Sequence, residues 1–201
     1  SVENQTTANE IDQYIWIKAN TSSIWLKNNT TFVTSSAIMS IAGYIIGLGD
    51  RHPNNILLQP QNGKITHLDF ENSFEVTMRR TISPEKVPFR LTRMIINALD
   101  GATPYGIFRK TCEDVLSLLR EAIQTIFAQI QLFTIDPTII NNPIFEALNI
   151  FERVKEKIEG KDIFLLDEET KSVEKQIDKL IKVSSNPLMY GTQFIGWCPY
   201  W

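Results

Sequence analysis

Cysteine and histidine are scarce in this chain of 201 residues, with two of each. Two thiols, Cys112 and Cys198, cannot build a disulfide framework, and such a chain suits a reducing compartment. Asn-x-Ser/Thr tracts at Asn4, Asn20, Asn28 and Asn29 are therefore expected to stay unmodified. Long apolar runs are missing as well. The longest, Ile41 to Leu48, is interrupted by two glycines and falls far short of the length that spans a bilayer. There is no excess of positive charge: 20 Lys and Arg against 23 Asp and Glu leave a net charge of -3, which excludes nucleic acid as a default partner. Residues Ser1 to Glu10 are polar, without a basic stretch leading into an apolar one, and the first residue is not Met. The chain is thus expected to be a piece of a longer protein rather than one opening on a secretory signal.

What is present is an ordinary globular balance, 43% hydrophobic and 21% charged, with no internal repeat and no low-complexity tract. Ser35 to Leu48 carries apolar residues on every side of a helix, the pattern of a buried helix, and Gly47 and Gly49 end it. Ile56–Leu58 and Lys64–Leu68 flank a turn at Gln59-Pro60-Gln61-Asn62-Gly63, which carries an Asn-Gly signal, and predict an antiparallel hairpin. From Asp69 to about Pro88 no period is sustained, which predicts a long and functional loop. Beyond it, spacing predicts helices over Phe89–Leu99 and Ile107–Phe133, and a third from an Asn142 cap and Pro143 to a stop at Gly160. A linker over residues 160–171 and a short amphipathic helix with Val173, Ile177, Leu180 and Ile181 follow. Five aromatics crowd Tyr190 to Trp201, too many for a free tail. The fold class is mainly α with one small β-hairpin.

The tract Gly49-Asp50-Arg51-His52-Pro53-Asn54-Asn55 lies between the buried helix and the hairpin, where polar side chains project from a rigid support. The hairpin leaves Asn55 and returns at Asp69, so an amide oxygen and a carboxylate converge, both hard ligands suited to Mg²⁺. Asp50 stands five residues before Asn55, the spacing of the catalytic Asp and metal-binding Asn of protein kinases. In such chemistry one carboxylate accepts the proton of an attacking hydroxyl, and the metal neutralises phosphate charge. Each of these residues alone would be an ordinary turn former; four at matched spacing around a hairpin are not. His67, inside a strand, is expected to be packed, hydrogen-bonded and structural.

The order Asp50-Arg51-His52, within Gly43-Tyr44-Ile45-Ile46-Gly47-Leu48-Gly49-Asp50-Arg51-His52-Pro53-Asn54-Asn55, resembles the phosphatidylinositol 3-kinase-like superfamily. Residues Pro84 to Met94 and Gly196-Trp197-Cys198-Pro199-Tyr200-Trp201 look like the end of the activation loop and of the FATC segment in target of rapamycin (TOR) kinases. The resemblance implies a kinase C-lobe over residues 1–167, with catalytic loop 49–55 and activation loop 69–88, then a FATC segment over 168–201. It implies a Ser/Thr protein kinase using ATP and Mg²⁺, or Mn²⁺ in its place. Asp50 is then the catalytic base, His52 supports the transferring phosphate, and Asn55 and Asp69 are cofactor and metal ligands. Protein substrates and TOR-complex scaffold subunits are the implied partners, in the cytoplasm and peripherally on endomembranes. The aromatic C-terminus is expected either to touch a membrane interface or to pack Phe194, Trp197 and Trp201 on the kinase lobe.

Two departures stand out. The family's Asp-Phe-Gly reads Asp69-Phe70-Glu71 here, so a positive φ at Glu71 would cost roughly 1 kcal/mol or more; either the loop takes another path or activity is weakened. No second cysteine accompanies Cys198, which removes the basis for a thiol switch. A kinase N-lobe needs about 65 residues, while 49 precede Asp50, with no glycine-rich phosphate loop and no strand lysine among them. The chain is therefore expected to be the C-terminal half of a kinase, inactive alone. A pseudokinase scaffold and a lipid kinase, the latter echoed by Arg79-Arg80, are the competing readings.

Overall fold

The computed structural model describes residues 7–134, 147–162 and 172–199. Its longest element is α2, Ser22–Ile46, around which the rest is arranged. Thr21 caps it, with the Thr21 Oγ1 accepting from the Ile24 amide at 3.3 Å, and Gly47 closes it in the left-handed conformation at φ +63. The helix begins thirteen residues before the Ser35 expected from its apolar pattern, because Asn28, Asn29, Thr30 and Thr31 hide the period. Two of those polar residues point inward. Asn28 and Asn29 are buried, and the Asn29 amide donates to the Ala98 carbonyl at 3.0 Å. Ser35 accepts from the Ile65 amide at 2.9 Å, tying the helix to the hairpin. Phe32, Val33, Ala37, Ile41 and Tyr44 supply the apolar contacts, so the helix is buried on several sides as its composition requires.

The hairpin pairs β1, Ile56–Leu58, with β2, Ile65–His67, antiparallel in the register Ile56 to His67 and Leu58 to Ile65. Its turn closes through the Gln59 amide on the Lys64 carbonyl and the Lys64 amide on the Asn62 side chain, both at 2.9 Å. A short α1, Glu10–Lys18, precedes α2, and α3, Arg93–Ala98, packs on α1. The helix expected over Phe89–Leu99 is thus confined to its second half, since Phe89 to Thr92 run irregularly into the core.

The single helix expected over Ile107–Phe133 is two: α4, Ile107–Glu121, and α5, Ile123–Thr134. The apolar spacing runs through Ala122 without a break and so conceals a turn, at φ -90 and ψ 14, that lets α5 meet the next described helix. Helix α6, Ala147–Glu159, packs Phe151 against Phe127 with ring centroids 6.0 Å apart and ends at Gly160, whose φ is +79. The expected cap and first turn at Asn142 and Pro143 lie outside the described residues, as do Ile163 to Leu166. Next, α7, Val173–Ser184, buries Ile177, Leu180 and Ile181 completely, in agreement with the spacing of its apolar residues. It also clamps α4 through Arg109, which donates Nε to Asp178 Oδ1 at 2.7 Å. A single turn, α8, Pro187–Tyr190, leads into the C-terminal segment. The described residues are mainly helical with one two-stranded hairpin, as the sequence implies.

Candidate active site

Two stretches meet where α2 ends and the hairpin begins, residues 49–55 and 68–69, and one buried side chain holds them together. Arg51 is 2% exposed. Its guanidinium donates Nε to the Gly49 carbonyl at 2.7 Å, Nη1 to Leu68 at 2.6 Å and Nη2 to Asp69 at 2.6 Å. One planar fork thereby fixes the tract before Asp50 to the strand end that carries Asp69. Burial lowers the Arg51 pKa, and Glu85, Asp50 and Asp69 oppose that shift.

Asp50 sits at φ +61, a left-handed conformation that Asp and Asn tolerate better than other residues. Its amide donates to Glu85 Oε2 at 2.5 Å, and its carbonyl accepts from Asn55 Nδ2 at 2.9 Å. Its carboxylate accepts from Asn72 Nδ2 at 3.4 Å. Because Asn55 spends its amide nitrogen on Asp50, its amide oxygen is left for a ligand. The Leu68 amide donates to the Asn55 carbonyl at 2.9 Å, extending the hairpin ladder and setting Asp69 beside Asn55, as the turn geometry predicts. Asp69 is exposed at φ +53, and its Oδ1 accepts from the Glu71 amide at 3.2 Å. His52 is half-buried on the same loop, one residue before the 3-10 turn Pro53–Asn55.

Among the described residues no group of three or more His, Cys, Asp or Glu could hold a metal. One carboxylate and one amide oxygen are the donor set that remains. It suits Mg²⁺, which keeps waters and substrate phosphate oxygens as its other ligands.

Comparisons with known proteins show the family. Residues 1–142 match the family model of phosphatidylinositol 3- and 4-kinase, and residues 170–201 match that of the FATC domain. The chain belongs to the phosphatidylinositol 3- and 4-kinase family. It is 34% identical to the target of rapamycin homolog of Caenorhabditis elegans over 98% of its own length and 8% of that protein's. To the serine/threonine-protein kinase TOR of Arabidopsis thaliana it is 45% identical over 67% of its length and 5% of the relative's. The solved FAT and kinase domain of CtTel1 superposes with a TM-score of 0.84 at 28% identity, covering 95% of this chain and 14% of the other. The chain therefore spans less than a seventh of each of these.

Three residues that place the site within this family fold are not evident from spacing. Glu85 has no signal beyond the Pro84 to Met94 tract, yet it accepts from both the Asp50 amide and, through Oε1, the Trp197 indole at 2.7 Å. Arg90 donates to the Trp197 and Cys198 carbonyls at 2.6 and 2.8 Å and to the Arg51 carbonyl at 3.3 Å, with its guanidinium 4.5 Å from the Trp197 ring centroid. Trp197 is completely buried against Val87 and Tyr190. Of the three aromatics expected to pack, Trp197 does and Phe194 is partly buried, while Trp201 lies outside the described residues. Both cysteines are free thiols.

The concern over Glu71 resolves in the loop's path. The positive φ falls on Asp69, not on Glu71, and no left-handed strain is stored at the substituted position. His67 packs as expected but is not hydrogen-bonded through Nδ1, which is buried without a partner. Burial, then the charge of Arg51, lowers its pKa to about 4. A folded-state pKa below the free value of about 6.5 means that the unfolded chain binds the proton more readily. Stability carried by neutral His67 is therefore present above about pH 6.5 and lost as pH falls toward 4. Melting temperatures recorded across that window are expected to decline, and His67→Leu to flatten the decline; an unaltered slope in the variant would assign the effect elsewhere.

Proposed function

We propose that this chain supplies the base and the metal ligands of a Ser/Thr protein kinase of the TOR type. The observation that carries it is that the Arg51 guanidinium ties the Gly49 and Asn55 carbonyls to that of Asp69, while the Asn55 amide donates to the Asp50 carbonyl. Asp50 orients the substrate hydroxyl and accepts its proton, and its carboxylate is held in place by Asn72. Asn55 and Asp69 hold Mg²⁺, which when bound neutralises charge on the ATP phosphates. His52 donates to the transferring phosphoryl group. The division into a kinase lobe at 1–167 and a FATC segment at 168–201 belongs to the same reading.

Protein hydroxyls are favoured over phosphoinositides by the Pro84 to Met94 tract, whose Glu85 and Arg90 tie the C-terminal segment to the catalytic loop. The printed names of relatives such as the serine/threonine-protein kinase TOR of Arabidopsis thaliana support the same choice. TOR-complex scaffold subunits are the partners this reading implies. Peripheral membrane contact, if the tail makes it, falls to Leu188 and Ile195, 83% and 96% exposed, rather than to the buried Trp197. Offering a peptide and a phosphoinositide side by side to the full-length kinase tests the substrate class: phosphate on the peptide is expected, and phosphate on the lipid alone would overturn the reading. No glycine-rich phosphate loop and no strand lysine occur before Asp50. The 201-residue chain by itself is accordingly expected to incorporate no labelled phosphate, and measurable incorporation would refute this.

A further inference from the structure

Phe74 and Glu75 are consecutive non-glycine residues in the left-handed conformation, at φ +59 and +64. Each such residue costs roughly 1–2 kcal/mol, so the pair persists only where its surroundings over-determine it. Part of the constraint is a backbone clip. The Phe74 amide donates to Ile46 at 2.7 Å, the Glu75 amide to Gly47 at 2.9 Å, and the Gly49 amide returns to Asn72 at 2.9 Å. Residues 72–75 are thereby pinned to the end of α2 and to the residue before Asp50. Both glycines make the approach possible: a Cβ on Gly47 would stand 2.7 Å from Glu75 Cγ, and one on Gly49 1.8 Å from Thr77 Oγ1.

The other part is electrostatic. The Glu75 carboxylate accepts from Arg153 Nη2 at 2.7 Å and Nε at 3.0 Å, and pairs with Lys157 Nζ at 2.7 Å. Arg153 also meets Glu156 and, at 2.8 Å, Asp162, which accepts from the Tyr44 hydroxyl at 3.0 Å. Glu75, Lys157 and Asp162 are 5%, 2% and 0% exposed, so the cluster lies in the protein interior. Burial pushes the Glu75 carboxyl up, but hydrogen bonds from Arg153 and the charge of Lys157 overcome it and hold it at about 2. Desolvation makes a buried ion cluster a weak source of net stability. Its location accounts for it better: it grips the strained pair from α6, 78 residues further along the chain.

We propose that Glu75 is a positioning residue for Asp50, and that Arg153 and Lys157 act through it to hold the start of the activation loop. The path is short: α6 fixes Glu75, the clip carries residues 72–75 onto Gly49, and Asn72 presents its amide to the Asp50 carboxylate. Arg80 secures that amide by donating to Asn72 Oδ1 at 3.0 Å. Phosphoryl transfer enters only through the assignment of Asp50 as base, on which the inference rests.

Hydrogen exchange on the full-length kinase tests the clamp without assuming that role. Amides of Gly49, Phe74 and Glu75 are expected to exchange slowly although they lie in loops; rates of an open loop in the wild type would overturn the proposal outright. In Lys157→Met, exchange over residues 72–77 and 49–50 is expected to quicken while α2 and α4 stay protected. There kcat falls by about 10-fold to 100-fold with KM for ATP unchanged. Loosened exchange with wild-type kcat would overturn the positioning role. Lys110→Ala, which breaks an exposed pair with Asp114, serves as the control that changes neither readout. Should Lys157→Met fail to fold, the wild-type exchange rates decide. Failure of the base assignment is separable, since it shows as an active Asp50→Asn enzyme, whatever the exchange rates.

Discussion

Asp50→Asn in the full-length kinase is expected to lower kcat by about 10²–10⁴-fold, the range a positioned general base contributes, with little change in melting temperature. The substitution keeps the side chain's shape, and asparagine, like aspartate, tolerates the φ of +61 at this position. It also retains an oxygen that can accept from Asn72 Nδ2. Asp50→Ala would test the same role less cleanly, because alanine in that conformation adds strain of roughly 1 kcal/mol or more and confounds chemistry with folding. The backbone of Asp50 is held independently of its carboxylate by Glu85 and Asn55, which is why the fold is expected to survive. Steady-state kinetics paired with a melting curve checks both halves. A stable variant within a few-fold of wild-type kcat would remove Asp50 from the reaction.

The larger structural effect is expected at Arg51. Arg51→Met places an apolar chain of similar length in the same space but leaves the Gly49 carbonyl, in a buried contact, and the Leu68 and Asp69 carbonyls, in part-buried ones, without their donor. Charged hydrogen bonds of this kind contribute about 1.5–3 kcal/mol each, and they are not additive; a loss of about 3 kcal/mol is expected when all of them go together. Arg51→Lys is expected to rescue little. A single ammonium is a point donor, whereas the three carbonyls are reached by the spread of a planar fork. Because Nη2 holds the Asp69 carbonyl, Mg²⁺-dependent nucleotide affinity should fall along with denaturant stability. A lysine variant with wild-type values of both would show that the fork is dispensable.

How far the site was legible differs residue by residue. Asp50, Asn55 and Asp69 could be proposed from sequence because a hairpin that turns within residues 59–63 returns the chain beside its start, and the register determines which positions meet. The same logic found α7, whose four apolar residues recur at helical spacing. It missed the start of α2, where buried Asn and Ser bond to neighbouring elements rather than facing water, and the break at Ala122, where nothing in the spacing changes. Arg51 stood inside the recognised tract, but its role depends on carbonyls up to 18 residues away. Glu85, Trp197 and the Glu75 cluster join partners 35, 112 and 78 residues apart. No local pattern encodes such pairings.

The fold class follows from the amino-acid sequence alone, since it rests on short-range spacing that chain geometry translates directly into proximity; the family follows from the resemblance of its motifs, and Asp50, Asn55 and Asp69 are proposed as base and metal ligands from both. Which residues hold those groups still was decided only in three dimensions. A buried guanidinium, a glutamate shared between Asp50 and Trp197, and a strained pair gripped from α6 depend on the closure of long loops. Burial strengthens their polar contacts, and burial is a property of the packed molecule rather than of any stretch of chain.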